Sequence, residues 1–205
     1  MYSPNHYKTD DRQFLLDFMR RYNFATLVTA KNETPFATHL PFIIEENAEN
    51  LVLSSHLARA NPQWKDFGGA EVLVVFAEPH AYISPMWYKE TLSVPTWNYV
   101  AVHAYGKVKM FDEEAKVFEV LEKMISAFDS KYFAQWKELP FDFKSNMARG
   151  IVAFEIVVDK LQGKKKLNQS SSPESRQNVI EQLGKSPNQP DKEIARLMAE
   201  NERSL

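Results

Sequence analysis

The sequence predicts a mainly β protein with covering helices, an α+β chain built around a barrel and ending in a helical tail. Three observations carry this. Short apolar or alternating segments recur between hairpin-length turns, as in barrels and unlike the strand–helix alternation of a parallel sheet. Only six glycines occur in 205 residues, and no glycine-rich turn follows a strand, so a dinucleotide-binding fold or P-loop is not expected. Beyond Leu161 the composition turns polar and basic and then helical.

Taken in order, the first element is a helix capped by Thr9 or Asp10, with Phe14, Leu15, Phe18 and Tyr22 along one face. Strands follow: Phe24 to Ala30, a turn at Lys31-Asn32-Glu33, and Pro35 to Ile44. Glu45 to Asn50 is a polar turn, and Leu51 to Ser55 is a third strand. Val72 to Phe76 is a near-continuous apolar run, suited to a strand buried on both faces. Tyr99 to Phe111 alternates and leads into a long helix opened by Asp112, with an apolar stripe of Ala115, Phe118, Leu121, Ile125 and Phe128. Ile151 to Val158 closes the strand-rich part. Pro173 then starts a helix to about Leu183, stopped by Gly184, and a last helix from about Asp191 carries Ile194, Leu197 and Met198.

Bulk properties exclude several classes. A hydrophobic fraction of 44%, a charged fraction of 25% and a net charge of -2 describe an ordinary globular chain. The near-neutral balance supplies no global attraction to nucleic acid or anionic membrane. No cysteine is present, which removes disulfides, thiolate metal sites and cysteine nucleophiles. The start of the sequence lacks a signal-peptide pattern and no apolar run reaches membrane-spanning length, so a cytoplasmic protein is expected.

Chemistry concentrates in two places. His80 to Gly106 crowds Trp87, Trp97, Tyr82, Tyr88, Tyr99 and Tyr105 together with hydroxyl, amide and imidazole groups. Buried Tyr and Trp bring polar tips that need partners, so such a block usually lines something. The second cluster runs from Ser54 to Trp64, where a strand ends in hydroxyls and an imidazole before a helix starts. Hydroxyls, Arg59 and backbone amides converging there make a phosphate site; a serine-rich helix start with a surface arginine is the alternative. The five histidines form neither a His-x-x-x-His pair nor a His-Glu-x-x-His motif, so each reads as a hydrogen-bonding group and no metal is expected. Ser84 lacks a nucleophile elbow. The run Lys164-Lys165-Lys166 is either a solvated turn or a local contact for an anion or nucleic acid.

These pieces together resemble the PaiB-type family of FMN-binding negative transcriptional regulators. The matching residues are Met1-Tyr2 with Pro4 and His6, Phe24 to Thr29, His39-Leu40-Pro41-Phe42 and His56 to Trp64. They continue through Tyr82-Ile83-Ser84-Pro85 with Trp87-Tyr88, Val94 to Tyr99, Gly150-Ile151-Val152, Gly163-Lys164, Lys166-Leu167 and Gln169. Two departures are visible: the family's Lys-Leu-Ser-Gln-Asn block stands here as Lys166-Leu167-Asn168-Gln169-Ser170, and the helix after Gly184 lies outside the match. The resemblance implies an FMN-binding split β-barrel working as a homodimer with FMN at its interface; the composition shift after Leu161 places the barrel domain at residues 1–161 and a basic turn and helical tail at 162–205. Carried onto this chain, the phosphate would meet Ser54, His56, Arg59 and Asn61. The flavin ring would lie near Thr38, His39, Leu40 and Pro41. Trp97, Asn98, Lys166 and Gln169 join the cofactor set by the same resemblance. The implied function is negative transcriptional regulation, through DNA bound by a local basic patch or through an indirect partner, with no membrane involved. A flavin-dependent oxidoreductase using NAD(P)H on a small organic substrate is the alternative, and whether the protein is an enzyme stays open. A haem-degrading relative on the same barrel is disfavoured because no histidine follows His103.

Overall fold

A computed structural model of the protein describes residues 1–31 and 33–203. Asn32 of the predicted turn and the last two residues of the tail lie outside them. The chain forms two compact units, one from residues 16–76 and 103–161, the other from residues 1–15, 77–102 and 162–205.

The larger unit carries strands β2 (Phe24–Lys31), β3 (Thr34–Pro41), β4 (Ile43–Glu46), β5 (Leu51–Ala58) and β6 (Glu71–Phe76). It also carries the first part of β9 (Ile151–Lys166) and the later part of β8 (Thr96–Phe111), in the order β3-β2-β6-β8-β9-β5-β4. The expected single strand from Pro35 to Ile44 is two strands. Phe42 breaks it: its N–H turns to the Asn23 carbonyl at 2.8 Å, and its fully buried ring packs 6.1 Å from Phe76 and 6.4 Å from Phe154. Conversely β5 does not stop at Ser55. It pairs residue for residue with β9 through His56↔Ala153 to Ala58↔Ile151, so the ladder carries it three residues further than its apolar run. The helix expected next is a short 3-10 turn, Pro62–Asp66, whose Gln63 N–H is capped by the Asn61 side chain.

Three helices complete this unit: α2 (Glu114–Phe128), α3 (Ser130–Glu138) and α4 (Phe141–Arg149). The buried stripe of α2 is Val117, Val120 and Met124, packed with Phe111, Ala148 and Ala153, while Phe118 and Leu121 flank it. Ala115 and Phe128 of the expected stripe are exposed, so the stripe is rotated from the predicted one. No element is predicted over α3 and α4. Asp129 caps α3 by accepting from the Tyr132 N–H at 3.0 Å.

The smaller unit contains β1 (Lys8–Thr9), β7 (His80–Ile83), the first part of β8, the end of β9, and helices α5 (Pro173–Gly184) and α6 (Gln189–Glu202). The first helix of the chain, α1 (Arg12–Arg21), begins here and is capped by Asp11 rather than Thr9 or Asp10; Asp11 Oδ1 accepts from the Phe14 N–H at 3.1 Å. Ile83, Val100, Val102, Val179, Leu183, Ile194 and Met198 form its core, each contributing about 1.5–3 kcal/mol through burial. The lysine run is strand and not a solvated turn. Lys164 pairs with Lys8 and Gly163 with Thr9, and an added Cβ at Gly163 would stand 2.7 Å from the Thr9 carbonyl oxygen. No helix of the described residues is long and apolar enough to cross a membrane.

Candidate functional site

In the larger unit the site is built where β3 meets β5. Asn61 Nδ2 donates to Thr38 Oγ1 at 2.9 Å, and Ser55 Oγ donates to the Pro41 carbonyl at 2.7 Å. These two bonds bring together the strand expected along the flavin ring and the segment expected at its phosphate. Along β3 the side chains of Phe36, Ala37 and His39 are exposed and Leu40 is buried. Phe24 and His39 stack with ring centres 6.5 Å apart, although Phe24 is 62% exposed.

Side chains two apart on a strand share a face, so Ser54 and His56 look the same way. That face is covered by α2. His56 Nδ1 lies 3.3 Å from Met124 Sδ, and burial holds its imidazole below the usual histidine range, leaving it neutral at pH 7. Ser54 is fully buried and its Oγ has no hydrogen-bond partner among the described residues. Arg59 lies beyond the strand end. Its backbone N–H donates to the Gly150 carbonyl at 2.8 Å, Nε to the Arg149 carbonyl at 3.0 Å and Nη2 to the Ile151 carbonyl at 2.9 Å. The guanidinium thus meets the last carbonyl of α4, which it satisfies and whose dipole it complements, and the first carbonyl of β9.

Gln63 is a residue the sequence reading passed over. It is fully buried, and its Nε2 faces the Leu27 carbonyl at 3.2 Å, Thr29 Oγ1 at 3.3 Å and the Phe36 carbonyl at 3.2 Å. It therefore pins the β2–β3 hairpin to the 3-10 turn. A glutamine just after Asn-Pro gives no hint of this, since all three acceptors lie more than twenty-five residues away.

The aromatic block belongs to the smaller unit. Alternation in β7 buries Ala81 and Ile83 and turns His80 and Tyr82 outward. Trp97 sits opposite Tyr82 in the ladder, its ring centre 5.8 Å from those of both Tyr82 and His80. With Trp87 and residues 187–191 these rings border an open groove of about 710 Å³. Asn98 points the other way, fully buried, with Nδ2 3.3 Å from Met198 Sδ and Oδ1 unpartnered among the described residues. Lys166 Nζ donates to Thr96 Oγ1 and, at 2.7 Å, to the Trp97 carbonyl. Burial, and then the neighbouring Lys164, lower its ammonium below the usual lysine range. Gln169 closes a local loop, accepting from the Leu167 N–H at 2.8 Å and donating to the Lys165 carbonyl at 2.5 Å.

Part of the donor set is left for a nucleotide phosphate once these bonds are made. Arg59 Nη1 and the second Nδ2 hydrogen of Asn61 are not used by the bonds above, Ser54 Oγ is unpartnered but buried, and on β3 the exposed His39 and the half-buried Thr38 lie on opposite faces.

Residues 1–160 match the family described as "Putative FMN-binding domain". The chain is 38% identical over 202 residues to protease synthase and sporulation protein PAI 2 of Bacillus subtilis, covering 97% of this chain and 96% of that protein. It is 32% identical over 185 residues to the uncharacterised protein AN0679 of Emericella nidulans, covering 70% and 73%. Among solved structures, the flavocytochrome Anf3 of Azotobacter vinelandii superposes with a TM-score of 0.60 at 14% identity, over 77% of this chain and 68% of that one. An FAD- and haem-binding protein of Mycobacterium smegmatis gives 0.60 at 15% identity, over 78% and 73%. At those identities the structures speak to fold alone, and the fold is the split β-barrel with an α+β composition. With its first 160 residues matched by that domain and nearly its full length aligned to PAI 2, the chain belongs to the PaiB-type FMN-binding family, whose cofactor is a flavin.

Proposed function

We propose that the protein is a cytoplasmic, homodimeric, FMN-binding negative transcriptional regulator of the PaiB type. The observation that carries this reading is the 38% identity along 97% of the chain to a relative named for protease synthesis and sporulation. The match over residues 1–160 supports an FMN-binding domain ending near 161; residues 162–205 follow it in sequence and pack with residues 1–15 and 77–102 in the smaller unit.

In this reading Arg59 and Asn61 hold the FMN phosphate, with Ser54 and His56 behind them, and the ring lies along Thr38, His39, Leu40 and Pro41. Trp97, Asn98, Lys166 and Gln169 form a second group of candidates. The dimer reading draws support from β3, an edge strand whose first four residues are exposed, beside the half-exposed rings of Phe24 and Phe36. An edge of this kind ordinarily needs a cover. The lysine run offers little for DNA: Lys164, Lys165 and Lys166 lie over the rings of Tyr99, Phe14 and Tyr7 at 5.1, 4.4 and 6.0 Å. Repression through a partner or a small metabolite suits that arrangement better than a basic patch.

Selection from a randomised DNA pool, with and without FMN and across a salt series, tests the regulatory reading. A recovered consensus whose retention falls with salt supports direct regulation. Retention only with a cell-derived partner supports the indirect form. Absence of either, together with steady NAD(P)H oxidation by the flavin-loaded protein, replaces the regulator by an oxidoreductase.

A further inference from the structure

The smaller unit holds a cleft of about 470 Å³, a size within the range of small-molecule sites, and none of the residues named above for the flavin lines it. Its wall combines two phenol rings, Tyr7 and Tyr88, with the carboxylate of Glu90 and a row of hydroxyls from Ser93, Thr96 and Ser170–Ser172.

Glu90 is held in place by hydroxyls. Ser175 Oγ donates to Glu90 Oε2 at 2.6 Å, and Ser175 is itself fully buried and accepts from the Lys89 N–H at 2.9 Å. Hydrogen bonds from Ser172 and then Ser175 keep the Glu90 carboxyl below its ordinary range, so it is charged at neutral pH. Among the described residues no cation forms an ion pair with it. Adjacent Lys89 pairs with Glu174 instead, and Lys166 Nζ is turned to Thr96 Oγ1 and the Trp97 carbonyl. The result is a carboxylate on the wall of an aromatic, hydroxyl-rich cleft that feels Lys89 through space but makes no ion pair with it.

Tyr88 is prepared in a similar way. Its phenol oxygen accepts from Asn168 Nδ2 at 2.8 Å, so its own O–H is available to donate. Asn168 is 5% exposed and adopts a left-handed backbone at φ 61°. Asparagine tolerates that region better than most residues, and here it aims the side-chain amide at Tyr88.

We propose that this cleft binds a small organic ammonium ion carrying hydroxyl or carbonyl groups. Glu90 takes the charge, the ring of Tyr88 flanks it, and the Tyr88 O–H with the surrounding serine and threonine hydroxyls takes the polar groups of the same molecule. An anion meets Glu90 unfavourably, and a purely apolar ligand leaves the hydroxyls desolvated and unpaired. Carboxylate and aromatic faces together are the usual means of holding an alkylammonium. The site does not depend on the flavin reading.

Calorimetric titration of the full chain with diethanolamine and with its neutral isostere diethylene glycol tests this directly. The account expects saturable binding of the amine and none of the ether. Glu90→Gln keeps an acceptor for Ser175 but removes the charge, and should weaken the amine about tenfold or more, as for a lost charge-assisted hydrogen bond. Tyr88→Phe keeps the ring and should weaken it less, while Glu113→Gln, at the start of α2, should change nothing. FMN affinity of all three variants should stay at the parent value, which separates this site from the flavin. Thermal melting checks that each variant is folded, and Tyr88→Phe carries the test should Glu90→Gln not fold. Equal binding of amine and ether, no binding of either, or undiminished amine binding by the folded variants would overturn the proposal.

Discussion

Asn61 donates through Nδ2 to Thr38 Oγ1 at 2.9 Å, while its Oδ1 accepts from the Gln63 N–H at 3.0 Å. One side chain thus ties β3 to the end of β5 and caps the 3-10 turn that follows. It occupies the position where the family resemblance expects a phosphate ligand, so any binding role it has is exercised from a fixed orientation.

A double-mutant cycle measures that coupling. Thr38→Val should cost about 0.5–1.5 kcal/mol in urea unfolding, the net worth of one hydrogen bond. Asn61→Ala should cost about 1–2 kcal/mol because the cap is lost as well. The double variant should be less destabilised than the sum, and strict additivity would show that the bond contributes nothing.

Gln63 makes a sharper structural prediction. Its Nε2 is fully enclosed by acceptors from both strands of the β2–β3 hairpin. Gln63→Ala opens a cavity and strands buried acceptors, at a cost of about 2–3 kcal/mol. Hydrogen exchange should show the loss first in residues 24–41. A variant as stable as the parent would remove Gln63 from this role.

Stability should fall with mild acid. Burial lowers the imidazole of His56, and burial is also the largest cause of the lowered His103. The unfolded chain then takes up protons near pH 6.5 while the folded chain does not yet do so, and the state that binds more protons gains as pH drops. Nothing is lost above that point. Below it stability declines until the folded imidazoles protonate, after which this contribution is constant. His56→Gln should give a shallower decline between about pH 7 and about pH 5, and an unchanged slope would assign the effect elsewhere.

Much of the architecture was legible from local pattern. The alternating and apolar runs at 24–30, 51–55, 72–76, 99–111 and 151–158 are all strands, and Pro173, Gly184 and the Ile194–Leu197–Met198 stripe mark the last two helices. What escaped depends on partners distant in sequence. Three consecutive lysines read as solvated because Tyr99, Phe14 and Tyr7, whose rings they cover, lie far away along the chain. Arg59 reads as a wholly open phosphate ligand until the last carbonyl of α4 and the first of β9, some ninety residues on, engage its Nε and Nη2 and leave Nη1. The Ser54–His56 pair has the spacing of a shared face, but only the register of β5 and the placement of Met124 reveal that α2 covers it. The cleft beside Glu90 is assembled from three separate stretches, so no single motif announces it.

Flavin binding is the most direct point of attack. Flavin-stripped protein would be titrated with FMN and with riboflavin, following tryptophan quenching and the visible flavin band. Saturable binding of FMN, much weaker binding of riboflavin, and about tenfold weaker FMN binding by Arg59→Ala would fit a pocket that reads the phosphate through a charge-assisted contact. Equal affinity for FMN and riboflavin, or no saturable binding of either, would contradict it.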